Sequence, residues 1–279
     1  MTTMFSWVTG PLAYDFMQRG LIVAALVGAI CSLLSCYLVL KGWALMGDAV
    51  SHAVLPGVVL AHIASIPLVI GAFGAGLGCA LATGYLKQKS RVKEDAVMGI
   101  VFSGMFALGL VLFVKVDTDQ HLNHILFGNM LGVQWGDVIE AAVIAIPAIG
   151  IVLAKRKDLL LYCFDPAHAR AIGLRVNWLH FGLLSLLALT IVASLKAVGI
   201  ILVIAMLIAP GAIGFLLTDR FDRMLMTAAT AAIGSCVVGT LVSFHIDAAT
   251  GPVIVVVQAA VFVLALVWSK RARNITQQG

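Results

Sequence analysis

Residues 47–57 read Gly-Asp-Ala-Val-Ser-His-Ala-Val-Leu-Pro-Gly, which places a carboxylate (Asp48) and an imidazole (His52) in an otherwise apolar stretch. Four residues apart on a helix, they share one face. A carboxylate inside a bilayer-level bundle costs several kcal/mol (roughly 2–4 on insertion scales) unless it is paired, protonated or bound to a cation. Oxygen and nitrogen donors together suit a divalent first-row metal such as manganese, iron or zinc. Two ligands do not close such a site, so water or a second Asp and His from a partner subunit must complete it. Ser51 lies beside the pair as a candidate outer contact. The competing reading is a polar pair that satisfies itself and fixes helix packing.

A second constellation is Asp165-Pro166-Ala167-His168-Ala169-Arg170-Ala171-Ile172-Gly173. Asp is a favoured N-cap, Pro is favoured at the first helical position, and Gly is favoured just past the C-terminus. The segment therefore specifies a short, separately capped helix, suited either to being gripped by a partner or to serving as a surface connector. Asp117, Asp119, His121 and His124, with His245 and Asp247 in another loop, are expected on the outer side. There they would collect metal, dock a delivery protein, or simply be solvated. His62 and His180 read as packed or hydrogen-bonded histidines, and the acids of Lys93-Glu94-Asp95 suit a helix N-terminus. No G-x-x-x-x-G-K-[ST] phosphate loop and no catalytic constellation in an aqueous segment occur, so the chain is not expected to be an enzyme.

The elements that must position these residues are membrane helices. The chain is 62% hydrophobic and 11% charged, with a mean hydropathy of +1.08, far from the soluble norm. Apolar runs predict nine spans at 20–40, 48–62, 66–86, 96–114, 136–154, 177–195, 198–217, 224–244 and 252–269. They form one all-α transmembrane domain over 1–279. Pro56-Gly57 suggests that the second span is discontinuous or re-entrant, and Pro210 is expected to break the seventh. The polar stretch 117–134 is not expected to span. The opening segment has no basic n-region and no cleavage site, so no removable signal peptide is expected.

With the C-terminus in the cytoplasm, fifteen of the 18 basic residues fall on the cytoplasmic side, at 41, 87–93, 155–175, 220–223 and 270–273. This satisfies the positive-inside rule. The net charge of +5 is then a topology signal, not a nucleic-acid one. The five cysteines form no CxxC pair and read as packing residues. Gly71, Gly74, Gly76 and Gly78, with Gly99, Gly104 and Gly109, allow close helix approach.

Taken together, GWALMGDAVSHAVLPG (42–57), EDAVMGIVFSGMFALG (94–109), FDPAHARAIGL (164–174) and KAVGIILVIAMLIAPGAIGFLL (196–217) resemble the permease subunit of bacterial metal-ion ABC importers. HLNHILFGNMLG (121–132) looks closest to the iron/manganese branch. The resemblance implies a type II importer permease with about eight spans in the bacterial inner membrane. It also implies transported manganese, iron or zinc at Asp48 and His52, with no permanently bound cofactor. Segment 165–173 (Asp165, Pro166, Ala169, Arg170, Gly173) matches the coupling helix that docks into the ATPase. The implied partners are a cytosolic ATPase dimer, a second permease subunit, identical or paralogous, and a periplasmic metal-binding protein. The alternatives are a permease for a metal chelate, such as a siderophore or corrinoid, and an ion-coupled secondary carrier.

Overall fold

A helix apolar on every side must be surrounded, and the first span is of that kind. The computed structural model, which describes residues 10–11, 13–43, 45–115 and 132–277, places helix α1 (Asp15–Lys41) at the centre, with every residue from Ile30 to Leu38 buried. Then follow α2 (Met46–Ile63), α3 (Leu68–Lys89), α4 (Glu94–Lys115) and α5 (Trp135–Ala154). Two short helices, α6 (Arg156–Phe164) and α7 (Pro166–Ala171), lead into α8 (Val176–Val198), α9 (Ile200–Leu217), α10 (Phe221–Ile246) and α11 (Thr250–Gln277). Among the described residues nine helices are long and apolar enough to cross a membrane, as the hydropathy pattern requires. Asp117, Asp119, His121 and His124, expected on the outer side, lie outside the described residues, as does most of 117–134.

Packing divides these helices into two groups. One packs α9 and α10 on α1, with α11 against α9 and α10, and the other clamps α2 between α3 and α4. Helix α8 touches both groups, contacting α1, α2, α3, α5 and α9. A single residue, Gly199 with φ +79°, turns the chain from α8 into α9.

Two expectations need correction. The second span is neither broken nor re-entrant: α2 runs unbroken through Pro56. Proline deletes one helical bond, to the His52 carbonyl, and its ring crowds that turn. The neighbouring helices hold the turn in place. A Cβ on Gly109 of α4 would lie 2.8 Å from the Pro56 nitrogen, and a Cβ on Gly57 would collide with the Gly71 carbonyl and come 2.5 Å from the Ala75 Cβ. Nor does Pro210 break the seventh span, since α9 is continuous through it. Ser35 of α1 inserts its hydroxyl there, donating to the Ile208 carbonyl (3.1 Å) and accepting from the Gly211 amide (2.9 Å). Backbone groups loosened by a membrane proline are satisfied by the next helix.

The segment 155–175 is not an open loop either, because α6 occupies much of it. Leu159, Tyr162 and Cys163 are buried, at the i, i+3, i+4 spacing of an amphipathic helix. All five cysteines are free and buried.

The α2–α3 crossing depends on Gly57 having no side chain. Overpacking costs about 1–3 kcal/mol, so Gly57→Val should lower the thermal midpoint of the detergent-solubilised protein by several degrees. Gly74, with nothing within 4 Å of an added Cβ, should tolerate Gly74→Ala without loss. Equal midpoints for the two variants would contradict the close crossing.

Candidate functional site

Helix α2 begins at Met46, so Asp48 stands in its first turn, where the amide ends favour a carboxylate. His52 follows one turn later on the same face. Its Nε2 lies 3.3 Å from Asp48 Oδ1, with each side chain 33% exposed. Donor atoms at that separation, each about 2.1 Å from a shared ion, subtend roughly 100° at it, an angle that tetrahedral and octahedral metals both accept. The pair has the spacing with which two donors could hold one ion. Among the described residues no third His, Cys, Asp or Glu joins it. Ser51 does not serve the pair: its hydroxyl donates to the Gly47 carbonyl at 2.7 Å.

Two residues not recognised in the sequence hold the imidazole. Phe102 of α4 stacks on it (centroids 6.1 Å apart, 24° between planes), and Phe106 meets it edge-on (5.1 Å, 71°). Their i, i+4 spacing repeats that of Asp48 and His52, a signal that was legible in 94–109 once two facing stripes are sought. Each ring fixes the tilt of the histidine but offers it no hydrogen bond. The buried Nδ1 accordingly has no partner among the described residues. In metal sites that nitrogen ordinarily donates to a carbonyl or carboxylate, and among the described residues neither such a contact nor a further ligand is present.

Between α6 and α8, α7 forms as its caps dictate. Asp165 accepts from the amides of Ala167 and His168, both at 2.9 Å, and Pro166 occupies the first turn. Beyond Ala171 the chain closes with amide bonds from Gly173 to the Arg170 carbonyl and from Leu174 to the Ala169 carbonyl, each 3.0 Å. This is a Schellman closure, and it needs the left-handed φ of +88° at Gly173. Ala169 is fully buried against the body, whereas His168 and Arg170 face outward. The His168 amide first, then that of Ala167, holds the Asp165 carboxyl below the usual carboxylate range. A depressed carboxylate stabilises the cap at neutral pH, and that contribution is lost as pH falls through the lowered value.

One polar cluster lies between α7 and α2. The Tyr162 hydroxyl and His180 Nδ1 are 2.7 Å apart. Lys41 Nζ sits 4.3 Å from the Tyr162 ring centroid, and Trp43 meets His180 edge-on at 5.4 Å. Trp43 in turn accepts from the Met46 amide (2.9 Å), the first residue of α2. His180 is therefore a hydrogen-bonded histidine, as expected. His62 lies exposed at the end of α2, and His245 bonds the Leu241 carbonyl through Nδ1 at 2.8 Å. Neither is near Asp48 in the described contacts.

The model of the ABC 3 transport family matches residues 13–269. The chain is 64% identical over 269 residues to the chelated iron transport system membrane protein YfeD of Yersinia pestis, covering 96% of this chain and 91% of that one. It is 53% identical over 272 residues to the manganese transport system membrane protein MntB of Synechocystis sp., covering 98% and 89%. Among solved structures, PsaBC from Streptococcus pneumoniae in complex with a Fab superposes with a TM-score of 0.84 at 35% identity, over 94% of this chain and 95% of that one.

Because the N-terminal cap of α7 rests on one side-chain acceptor, Asp165→Ala should speed amide exchange at Ala167 and His168 several-fold. Asp165→Asn, which keeps the acceptor, should not. Equal protection in the two variants would show that the cap is not what holds the helix.

Proposed function

The chain belongs to the ABC 3 transport family and is a membrane-spanning permease subunit of an ATP-binding-cassette transporter, and on that premise we propose that it conducts divalent manganese or iron through the Asp48–His52 site. The observation that carries the reading is the pair itself: a carboxylate oxygen and an imidazole nitrogen 3.3 Å apart on one helix face. Relatives named for iron and for manganese support the choice of cargo. Zinc accepts the same donors. Two close donors on one helix suit a bare ion better than a bulky chelate.

A second permease subunit, identical or paralogous, presents the equivalent pair, so that four donors surround the ion. Asp48 offers the ion a carboxylate oxygen and His52 an imidazole nitrogen. A periplasmic metal-binding protein delivers the ion from outside. The basic ends of the helices support, by the positive-inside rule, a C-terminus on the cytoplasmic side of a bacterial inner membrane. There an ATPase dimer grips α7, using the face of His168 and Arg170 that is turned away from the body. Motion of α7 reaches α2 through the Tyr162–His180–Trp43 contacts, because Trp43 sits at the mouth of the site-bearing helix.

Cells whose only importer carries Asp48→Ala or His52→Ala should take up radiolabelled manganese at least about tenfold more slowly. Normal uptake by assembled variant would overturn the site. Tyr162→Phe removes one hydroxyl and keeps the ring, so the assembled complex should still hydrolyse ATP while moving less metal per ATP. An unchanged ratio would remove this cluster from the coupling route, and retained coupling in Gly173→Val would do the same for α7.

A further inference from the structure

Beneath α7 lies a groove of about 430 Å³ that the transport reading does not use. It opens where the ends of α5 and α8 diverge, roofed by the residues that close α7. Lys155 and Arg175 stand at its mouth beside Asp158, and Trp178, Gly182 and Leu186 carry it along α8. From Arg175 to Leu186 is about 16 Å along a helix axis, a length that matches the reach from a lipid headgroup into its acyl chain. A Cβ at Gly182 would meet nothing within 4 Å, which leaves a slot at mid-length. Trp178 is 75% exposed, where interfacial tryptophans sit.

The charges at the mouth are unequal. Lys155 pairs with Asp158 at 3.3 Å, which leaves Arg175 with no carboxylate in reach among the described ion pairs. The rim therefore has one uncompensated positive charge above an apolar slot, the complement of an anionic headgroup with its acyl chain. Basic pockets between membrane helices at the cytoplasmic side bind such lipids. We propose that this groove is a binding site for an anionic phospholipid of the cytoplasmic leaflet, seated directly under α7 with its phosphate on Arg175 and an acyl chain over Gly182. The leaflet follows from the orientation proposed above; the site itself depends only on the groove and its rim. Because Gly173 and Leu174 line the same groove, the lipid contacts the closing turn of α7 and steadies the surface that the ATPase grips.

The test uses the full chain purified with its co-expressed partner subunits and re-lipidated in an equal mixture of phosphatidylglycerol and phosphatidylethanolamine, with retained lipid read by native mass spectrometry. The unaltered protein should retain phosphatidylglycerol in preference by roughly fivefold, the value of about one basic side chain at the surface. Arg175→Gln should abolish the preference, and Gly182→Leu, which fills a slot that is open in the fold, should reduce retention of both lipids. Equal retention of the two lipids by the unaltered protein would overturn the proposal, and so would undiminished retention in Gly182→Leu. Trp178→Cys tests the remaining occupant: a disulfide between two copies of the chain would mean that a second subunit, not lipid, covers the groove. Uptake lost in Asp48→Ala with lipid retention unchanged would separate this site from the transport site.

Discussion

A carboxylate and an imidazole share a helix face inside a membrane bundle, and the structure around them is arranged to make that tolerable. Asp48 gains from its place in the first turn of α2, and His52 gains the attraction of its neighbour at 3.3 Å. Neither is fully desolvated. The phenylalanines of α4 then restrict the imidazole sterically without satisfying its second nitrogen. The pair is therefore held in orientation, while one imidazole nitrogen has no partner among the described residues.

The same economy governs the backbone. Pro56 and Pro210 each remove a helical hydrogen bond, and each lies against a neighbour that comes close. Pro56 lies against Gly109 and beside the Gly57–Gly71 crossing, so α2 stays rigid one turn beyond His52. Pro210 lies beside Ser35, whose hydroxyl enters the loosened turn as both donor and acceptor. These two contacts tie the clamped α2 group and the α1-centred group to their own neighbours. Helix α8 touches both groups, and α9 also contacts α2 directly.

The basic end of the molecule shows how a short surface helix is made rigid without a core of its own. Six residues cannot sustain a helix by propagation alone. α7 relies on Asp165 at one end, the Gly173 closure at the other, and a single buried alanine between them. The helix also packs directly on α6.

Much of this was readable in one dimension. Hydropathy fixed the nine spans because burial in lipid demands long apolar runs, and cap chemistry fixed α7 because Asp, Pro and Gly at those offsets satisfy the helix ends locally. The i, i+4 rule placed Asp48 and His52 together because a helix repeats every 3.6 residues. Local rules misled at Pro56 and Pro210, where a missing amide reads as a break. Whether a break forms depends on which side chain or glycine from another helix fills the gap, and that is a contact at long sequence separation. Phe102 and Phe106, the Tyr162–His180–Trp43 cluster and the groove under α7 belong to the same class. Spacing along the chain determined which residues have the chemistry; only the packing of distant helices decided which surroundings they share.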